Sequence, residues 1–278
     1  MTGLLYICNI LFAAGQVAFG KQAAHRGGTA QSFNLNKAII GVILFLLIGL
    51  FGGFSFHLPT ILFGMVYGLA LCLSMHAGFQ AVATGPMALS SIIASFSLII
   101  PVLFGIFLWN EAVTFSKILG LALLLFSIFL INCKKEAGFS LQWLISALTT
   151  LVANGVCSVI LKLHQTQFPT LYRTEFMFWA LLSVLFILSG IALCNREKQS
   201  RFQFSLLGLL SGAMNCFANY IVLYLSATEN ASVLFPIISI ANSAAVWLIG
   251  LLFFKERLKL IPFLGFITGI ISVLLLKL

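Results

Sequence analysis

Long apolar runs separated by short polar connections are the dominant pattern of this sequence. Residues 118–131 and 231–254 are apolar on every side, so they match neither a half-buried strand nor a helix with one solvated face. A helix needs about 20 apolar residues to cross a bilayer, so runs of this kind predict membrane-spanning helices. Ten predicted spans follow one another along the chain: residues 2–20, 36–53, 59–83, 86–109, 115–133, 141–163, 171–194, 202–226, 231–254 and 260–276.

Two of the prolines interrupt these spans. Pro101 and Pro236 lie inside the fourth and ninth predicted spans, whereas the other prolines fall close to span starts. A proline removes one backbone hydrogen bond and clashes with the preceding turn. We therefore expect both helices to kink or locally unwind, which a membrane protein tolerates where neighbours or a cavity satisfy the freed carbonyl.

The composition supports a membrane protein. Of 278 residues, 61% are apolar and 8% are charged, and the mean hydropathy is +1.14. An ordinary soluble domain is about 45–50% apolar and about 25% charged. The predicted fold class is an all-α polytopic membrane protein with ten transmembrane helices, a multi-pass protein of the plasma membrane.

The net charge and the cysteine content limit the classes of partner and cofactor that we expect. The net charge of +9 arises in the connections, where anionic lipid and the positive-inside rule explain it, so we expect a lipid bilayer and no nucleic acid. The six cysteines show no spacing typical of a metal site or of a disulfide framework. The sequence therefore predicts no metal and no cofactor.

The chain repeats itself at a shift of about 144 residues. Two glycines and a cysteine align between the halves: Gly64, Gly68 and Cys72 with Gly208, Gly212 and Cys216. Two glycines and a glutamate align in the same way further along the chain: Gly105, Glu111 and Gly120 with Gly250, Glu256 and Gly265. Residues 1–135 and 140–278 are thus predicted to be five-helix repeats of one transmembrane domain. Because five is odd, the second repeat would be inverted, as in many secondary transporters.

Two segments carry a resemblance to a known family. Residues 108–114 (LWNEAVT) and 253–258 (FFKERL) each contain a glutamate that is followed nine residues later by Gly120 or Gly265. These segments resemble the paired signature of the EamA-type branch of the drug/metabolite transporter superfamily. The resemblance implies ten helices in two inverted repeats and carrier-type transport by alternating access. It leaves the substrate open, because that family carries amino acids, sugars, nucleotide sugars, cations and drugs.

Polar side chains inside predicted spans are candidates for a substrate-binding cavity between the repeats. The third and eighth spans carry matching polar stripes, and the sixth and ninth spans add single amides. The candidates are Tyr67, His76, Gln80, Asn154, Asn219, Tyr220, Tyr224 and Asn242. Hydrogen bonding between helices is the alternative explanation.

The charged side chains limit the coupling mechanism. All six glutamates lie in connections or at span ends, and the chain has no aspartate, which argues against exchange of protons for cationic drugs at a buried acid. His76 is the one side chain well inside a span that titrates near neutral pH, so transport is predicted to be facilitated or to use His76. Lys21 and Lys162, equivalent in the repeats, are candidates for pore-mouth charges, with snorkelling to the interface as the alternative.

The distribution of basic residues predicts the orientation. Lysine and arginine favour the odd-numbered connections over the even ones and the C-terminal end by 11 to 4, with Lys37 counted in the first connection. The positive-inside rule then places both termini outside, whereas members of the family that it resembles usually have them inside.

The leading functional hypothesis is a secondary transporter of a small polar or zwitterionic, amino-acid-like metabolite, working as a monomer or weak dimer. The alternatives are a carrier of amphipathic or cationic compounds, such as drug or quaternary amine efflux, and a non-transporting membrane partner subunit. An enzyme is not expected, because the sequence shows no nucleophile–base arrangement, metal-ligand spacing or phosphate-binding glycine loop.

Overall fold

The computed structural model describes the chain except residues 1, 109–113, 133–139, 169–170, 195–204, 229–230, 257–259 and 278, with the backbone alone at some positions of the later helices. The described residues form eleven α-helices and one short 3-10 turn. The helices are α1 (Thr2–His25), α2 (Ala30–Gly52), α3 (Leu58–Thr84), α4 (Met87–Ser95), α5 (Ile99–Leu108), α6 (Phe115–Asn132), α7 (Leu141–Gln167), α8 (Arg173–Cys194), α9 (Leu206–Thr228), α10 (Ala231–Phe253) and α11 (Leu260–Lys277).

The predicted all-α architecture is confirmed over the described part of the chain. Each predicted span corresponds to one helix, except that α4 and α5 together form the fourth. Five helices are long and apolar enough to cross a membrane, and they cover residues 3–25, 30–52, 58–84, 141–167 and 173–193. Shorter apolar helices account for four of the five remaining predicted spans, and α6 corresponds to the fifth predicted span.

The start of α2 differs from the sequence-based boundary. The helix begins at Ala30, six residues before the predicted start, and the Thr29 side chain caps it by accepting a hydrogen bond from the Ser32 N–H at 3.2 Å. Asn34 and Asn36 are polar but buried. The prediction was wrong here because polarity was taken to mark a connection, whereas these residues face other helices.

The fourth span is a broken helix. A 3-10 turn at Phe96–Leu98 separates α4 from α5, one turn before Pro101. Proline at position 101 has no N–H for the carbonyl of Ser97, which is consistent with the tighter turn at this point. By contrast, α10 continues as an α-helix through residue 236.

Helices from the two halves of the chain interleave. α3 packs on α7 and α8, while α9 packs on α1 and α2. Glycines allow both of the close approaches to α8 and α2. A Cβ on Gly68 would lie 2.5 Å from the Ala180 carbonyl oxygen in α8, and a Cβ on Gly212 would lie 2.7 Å from the Lys37 carbonyl oxygen in α2.

The long helix α3 connects two ends of the bundle. Its 27 residues span about 40 Å at 1.5 Å per residue. Just beyond its C-terminus, Gly85 meets Lys21, and near its N-terminus, Thr60 meets His164. We refer to these two regions as the Lys21 end and the His164 end.

Candidate functional site

A cavity of about 240 Å³ lies inside the bundle, nearer to the Lys21 end. It is lined by α1, α2, α3, α4, α7 and α9, so both halves of the chain contribute to its wall. Nine of the 19 lining residues are polar, although the surrounding helices are apolar. The polar lining residues are Gln16, Asn34, Lys37, Ser74, Ser90, Ser91, Thr150, Asn154 and Asn215.

Lys37 provides the charged group of the cavity wall. It is the eighth residue of α2, and its Nζ donates a hydrogen bond to Gln16 Oε1 of α1 at 2.9 Å. The backbone of Lys37 is held in place by the close approach of α9 at Gly212. Residue 37 falls inside the predicted span 36–53, but its charge was counted with the first connection, so Lys37 was not considered as a site residue.

Asn34 lies one turn before Lys37 and also lines the cavity. Only 2% of it is exposed, and its side-chain Nδ2 has no hydrogen-bond partner among the described residues. A buried amide N–H without a partner is unfavourable. Asn34 and Lys37 therefore line the cavity from one face of α2, and the amide N–H of Asn34 has no partner among the described residues.

The opposite wall is polar but neutral. Ser74 of α3 donates its hydroxyl hydrogen to Asn154 Oδ1 of α7, and Thr150 donates to the Ser146 carbonyl at 2.8 Å. Gly78 faces the same space, because a Cβ added there would meet Thr150 only at an ordinary contact distance of 3.6 Å. This wall therefore offers room and hydrogen-bonding groups without charge.

An ion pair closes the Lys21 end. Lys21 Nζ donates to the Gly85 carbonyl at 2.6 Å and lies 3.4 Å from Glu256 Oε1. The Glu256 carboxylate accepts the Met87 N–H, at 3.0 Å to Oε2 and 3.2 Å to Oε1. Glu256 was expected only at a span end, and the structure shows that its hydrogen bonds lie at the N-terminus of α4. Lys21 is only 8% exposed, so it connects three helix ends instead of presenting a charge to solvent.

Lys162, the second predicted pore-mouth charge, is an exposed residue of α7. It lies two residues before His164, so it is near the His164 end. Glu111, which aligns with Glu256 in the predicted repeat, lies outside the described residues.

Aromatic rings and histidines close the His164 end. His164 is fully buried and stacks on Phe176 with a centroid distance of 4.6 Å. Thr60 Oγ1 lies within hydrogen-bond distance of both His164 Nε2 (3.2 Å) and His57 Nδ1 (3.0 Å). The His57 ring stacks on Tyr172 at 4.4 Å. Helices α3, α7 and α8 are thus joined by ring contacts and one threonine.

Residues 1–133 match the family model of the EamA-like transporter family. The match covers 133 of the 278 residues. The resemblance to this family is thereby confirmed over the first half of the chain.

A structural comparison extends over the whole chain. One solved crystal structure has a TM-score of 0.64 and 15% sequence identity, and the match covers 99% of this chain and 98% of the other. At this identity the likeness shows a shared fold. None of the curated proteins matches the sequence significantly.

The predicted site residues lie in different surroundings in the structure. Asn154 lines the cavity. Tyr67 is buried and its ring meets that of Phe176 at 5.0 Å. On α3, His76 is exposed on the outer face of the bundle, on the same side as Leu69 and Leu73.

The other predicted residues of α9 and α10 also lie outside the cavity lining. Tyr220 and Tyr224 are 46% and 49% exposed. Asn219 donates to the Asn215 carbonyl at 2.9 Å, and the Oδ1 atom of Asn242 is buried without a described partner. Gln80 is half-buried near the C-terminus of α3. Their role in substrate binding stays a prediction.

Sequence reasoning missed Asn34 and Lys37, although the sequence contains a signal for them. Thr29 is a favourable N-cap residue, and a helix starting after it places residues 34 and 37 on one face, because residues three apart are neighbours. Starting the span at the first apolar run discarded this information.

Proposed function

We propose that the transporter is a secondary carrier that moves a small polar or zwitterionic metabolite through the central cavity by alternating access. The observation that supports this is a polar cavity built by helices of both halves inside an apolar bundle. Its volume of about 240 Å³ is below the range of about 300–1,000 Å³ typical of drug-sized ligands. A solute about the size of an amino acid fits this space.

Inverted five-helix repeats would supply the movement. Equivalent helices have equivalent partners: α3 packs on α8 through Gly64 and Gly68, and α9 packs on α2 through Gly208 and Gly212. This correspondence supports repeats over residues 1–135 and 140–278. Rocking of one repeat against the other would expose a cavity between them to each side in turn.

The alternative of a cation carrier receives less support. A cationic substrate in a membrane cavity needs a carboxylate or an aromatic cage. Within the described part of the chain, carboxylates belong to Glu175 and Glu256, which bind Ser55 and the Lys21 end respectively. Neither of them lines the cavity.

A counterflow experiment in liposomes tests the proposed function. Purified protein is reconstituted, vesicles are loaded with unlabelled amino acids or 2-hydroxy acids, and uptake of the same labelled solute is measured. We expect accumulation with the wild type for at least one solute. Tetraethylammonium serves as the cationic comparison, and we expect no accumulation of it.

A matched pair of variants connects transport to the cavity. Gly78→Leu fills the cavity from a position where the Cβ has ordinary contacts, whereas Gly190→Leu places the same side chain on α8 where nothing lies within 4 Å. We expect uptake to fall at least about tenfold in Gly78→Leu and to persist in Gly190→Leu, since the occupied volume excludes the solute. Equal uptake by both variants would exclude this cavity as the route. A wild-type protein that moves no solute would favour the partner-subunit alternative.

A further inference from the structure

We propose that the transported solute carries a carboxylate, and that the Lys37 ammonium and the Asn34 amide N–H bind it. This inference rests on the proposed function and goes further, because it assigns a substrate class and two binding residues. It concerns the α2 wall of the cavity, where Lys37 is the one charged residue among the described residues that line the cavity.

The position of Lys37 is unfavourable without an anion. The residue lies two turns inside α2, with its Nζ hydrogen-bonded to the neutral Gln16 side chain. Removing a charged group from water without a counter-charge is unfavourable, and ionisable side chains in membrane helices are therefore usually paired or face a functional cavity. Lys37 lines the cavity, so a ligand can supply the missing charge.

No carboxylate from the described residues serves this purpose. Glu256 is paired with Lys21 at the Lys21 end, and Glu175 binds the N–H and hydroxyl of Ser55 near the His164 end. An ammonium group has three donor hydrogens, and Gln16 is the partner identified for Lys37. The ammonium group therefore has donors left for a solute.

Asn34 provides an independent observation for the same ligand. Its Nδ2 is buried and has no described partner, and the residue lines the cavity one helical turn from Lys37. Two residues with hydrogen-bond donors, one of them charged, therefore line the cavity from α2. A carboxylate has two acceptor oxygens and forms charge-assisted hydrogen bonds with such donors.

The neutral wall around Asn154 and Thr150 faces these donors across the cavity. It can bind hydroxyl or amino groups on the rest of the solute through hydrogen bonds. Because it carries no charge, the carboxylate provides the main electrostatic interaction. A solute in which the carboxylate is replaced by an amide would lose this interaction and leave Lys37 unpaired.

A thermal-shift experiment on the detergent-purified, full-length protein tests the proposal. The probes are the common L-amino acids, the corresponding 2-hydroxy acids and the amides of both, so that each acid is compared with an uncharged or cationic isostere. A ligand that binds the folded state raises the unfolding midpoint. We expect stabilisation by one or more acids and none by their amides.

Three variants assign the effect to Lys37. Lys37→Met should weaken binding of the stabilising acid by at least about tenfold, because a charge-assisted hydrogen bond is lost. Lys37→Arg should retain part of the response. Lys255→Met removes the same charge from an exposed position outside the cavity, and it should bind like the wild type.

A second measurement does not require a ligand. Without any solute, Lys37→Met should unfold at a midpoint equal to or above that of the wild type, because an apolar side chain replaces a charge inside the bundle that has no counter-charge among the described residues. A clearly lower midpoint would contradict the proposal, since it would identify Lys37 as a structural residue.

The remaining outcomes are also distinct. Stabilisation by amides equal to that by acids, an unchanged response in Lys37→Met, or no response to any acid would each overturn the proposal. Counterflow separates this failure from that of the proposed function. A solute that the wild type and Lys37→Met move equally well would leave the carrier function standing and remove the carboxylate assignment. Absence of transport by the wild type would contradict the carrier function itself.

Discussion

The two ends of the bundle are closed by different chemistry. At the Lys21 end, one cation, one carboxylate and a backbone carbonyl join α1, the start of α4 and the residues after α10. At the His164 end, α3, α7 and α8 are joined by stacked rings, with the Thr60 hydroxyl between two histidines. The first closure depends on a few strong directional contacts, and the second depends on packed volume.

This difference has a consequence for a carrier whose ends open in turn. Opening the Lys21 end must separate an ion pair, and the separated charges then need water or a solute. Opening the His164 end mainly exposes aromatic surface, with a free-energy change that scales with area. The two ends should therefore respond differently to the same kind of substitution.

The largest effect is expected at the Lys21 end. Glu256→Gln keeps an oxygen that can accept the Met87 N–H, but it leaves the Lys21 ammonium buried without a carboxylate. Loss of one partner of a buried ion pair typically costs about 3–5 kcal/mol. We expect a decrease of this size in the free energy of unfolding, measured by denaturation of the purified protein in detergent.

The double variant Lys21→Met/Glu256→Gln is the control for this prediction. It removes the unpaired charge, so most of the lost stability should return. If the double variant is no more stable than Glu256→Gln alone, the ion pair does not hold this end together.

At the His164 end, volume should matter more than polarity. His164→Ala creates a cavity among Phe63, Phe168 and Phe176, and large-to-small substitutions of buried residues cost about 2–5 kcal/mol. His164→Phe keeps the ring and removes the buried Nδ1 atom that has no described partner. We expect His164→Phe to remain within about 1.5 kcal/mol of the wild type, the range of volume-conserving substitutions. Equal destabilisation by both variants would mean that the hydrogen bond to Thr60 closes this end.

A smaller effect is expected for a neutral hydrogen bond at the Lys21 end. The indole N–H of Trp143 donates to Ser90 Oγ at 2.9 Å, and both residues are buried. Ser90→Ala leaves this N–H without its acceptor, which typically costs about 1–3 kcal/mol. Thermal unfolding should place Ser90→Ala between the wild type and Glu256→Gln. A midpoint below that of Glu256→Gln would show that the tryptophan, and not the ion pair, dominates this end.

The helical fold could be predicted from the sequence, because the thickness of the bilayer sets the length of the apolar runs that form its helices. The broken fourth span could also be anticipated, because Pro101 lacks a donor wherever it lies in a helix. The helix ends were less accessible. Lys21 was expected just after the first span, and the charge of Lys37 was counted with the first connection, but both residues lie inside helices.

The cavity residues were the least accessible from the sequence. A polar stripe such as His76 and Gln80 shows which residues share a helix face, but not whether that face meets lipid or another helix. That choice depends on packing between segments that are far apart in the chain, such as Gly212 against Lys37. The charge-based orientation stays a prediction.

The most direct test of alternating access is to lock each end in turn. His25 and Phe254 stack at 5.8 Å at the Lys21 end, and His57 and Tyr172 stack at 4.4 Å at the His164 end. Each pair is replaced by cysteines and bridged by a short bis-methanethiosulfonate reagent, and counterflow in liposomes is measured before and after reduction. The parent protein with its native cysteines receives the same treatment. Alternating access predicts that either bridge alone stops flux and that reduction restores it, whereas undiminished flux with one end bridged would contradict it.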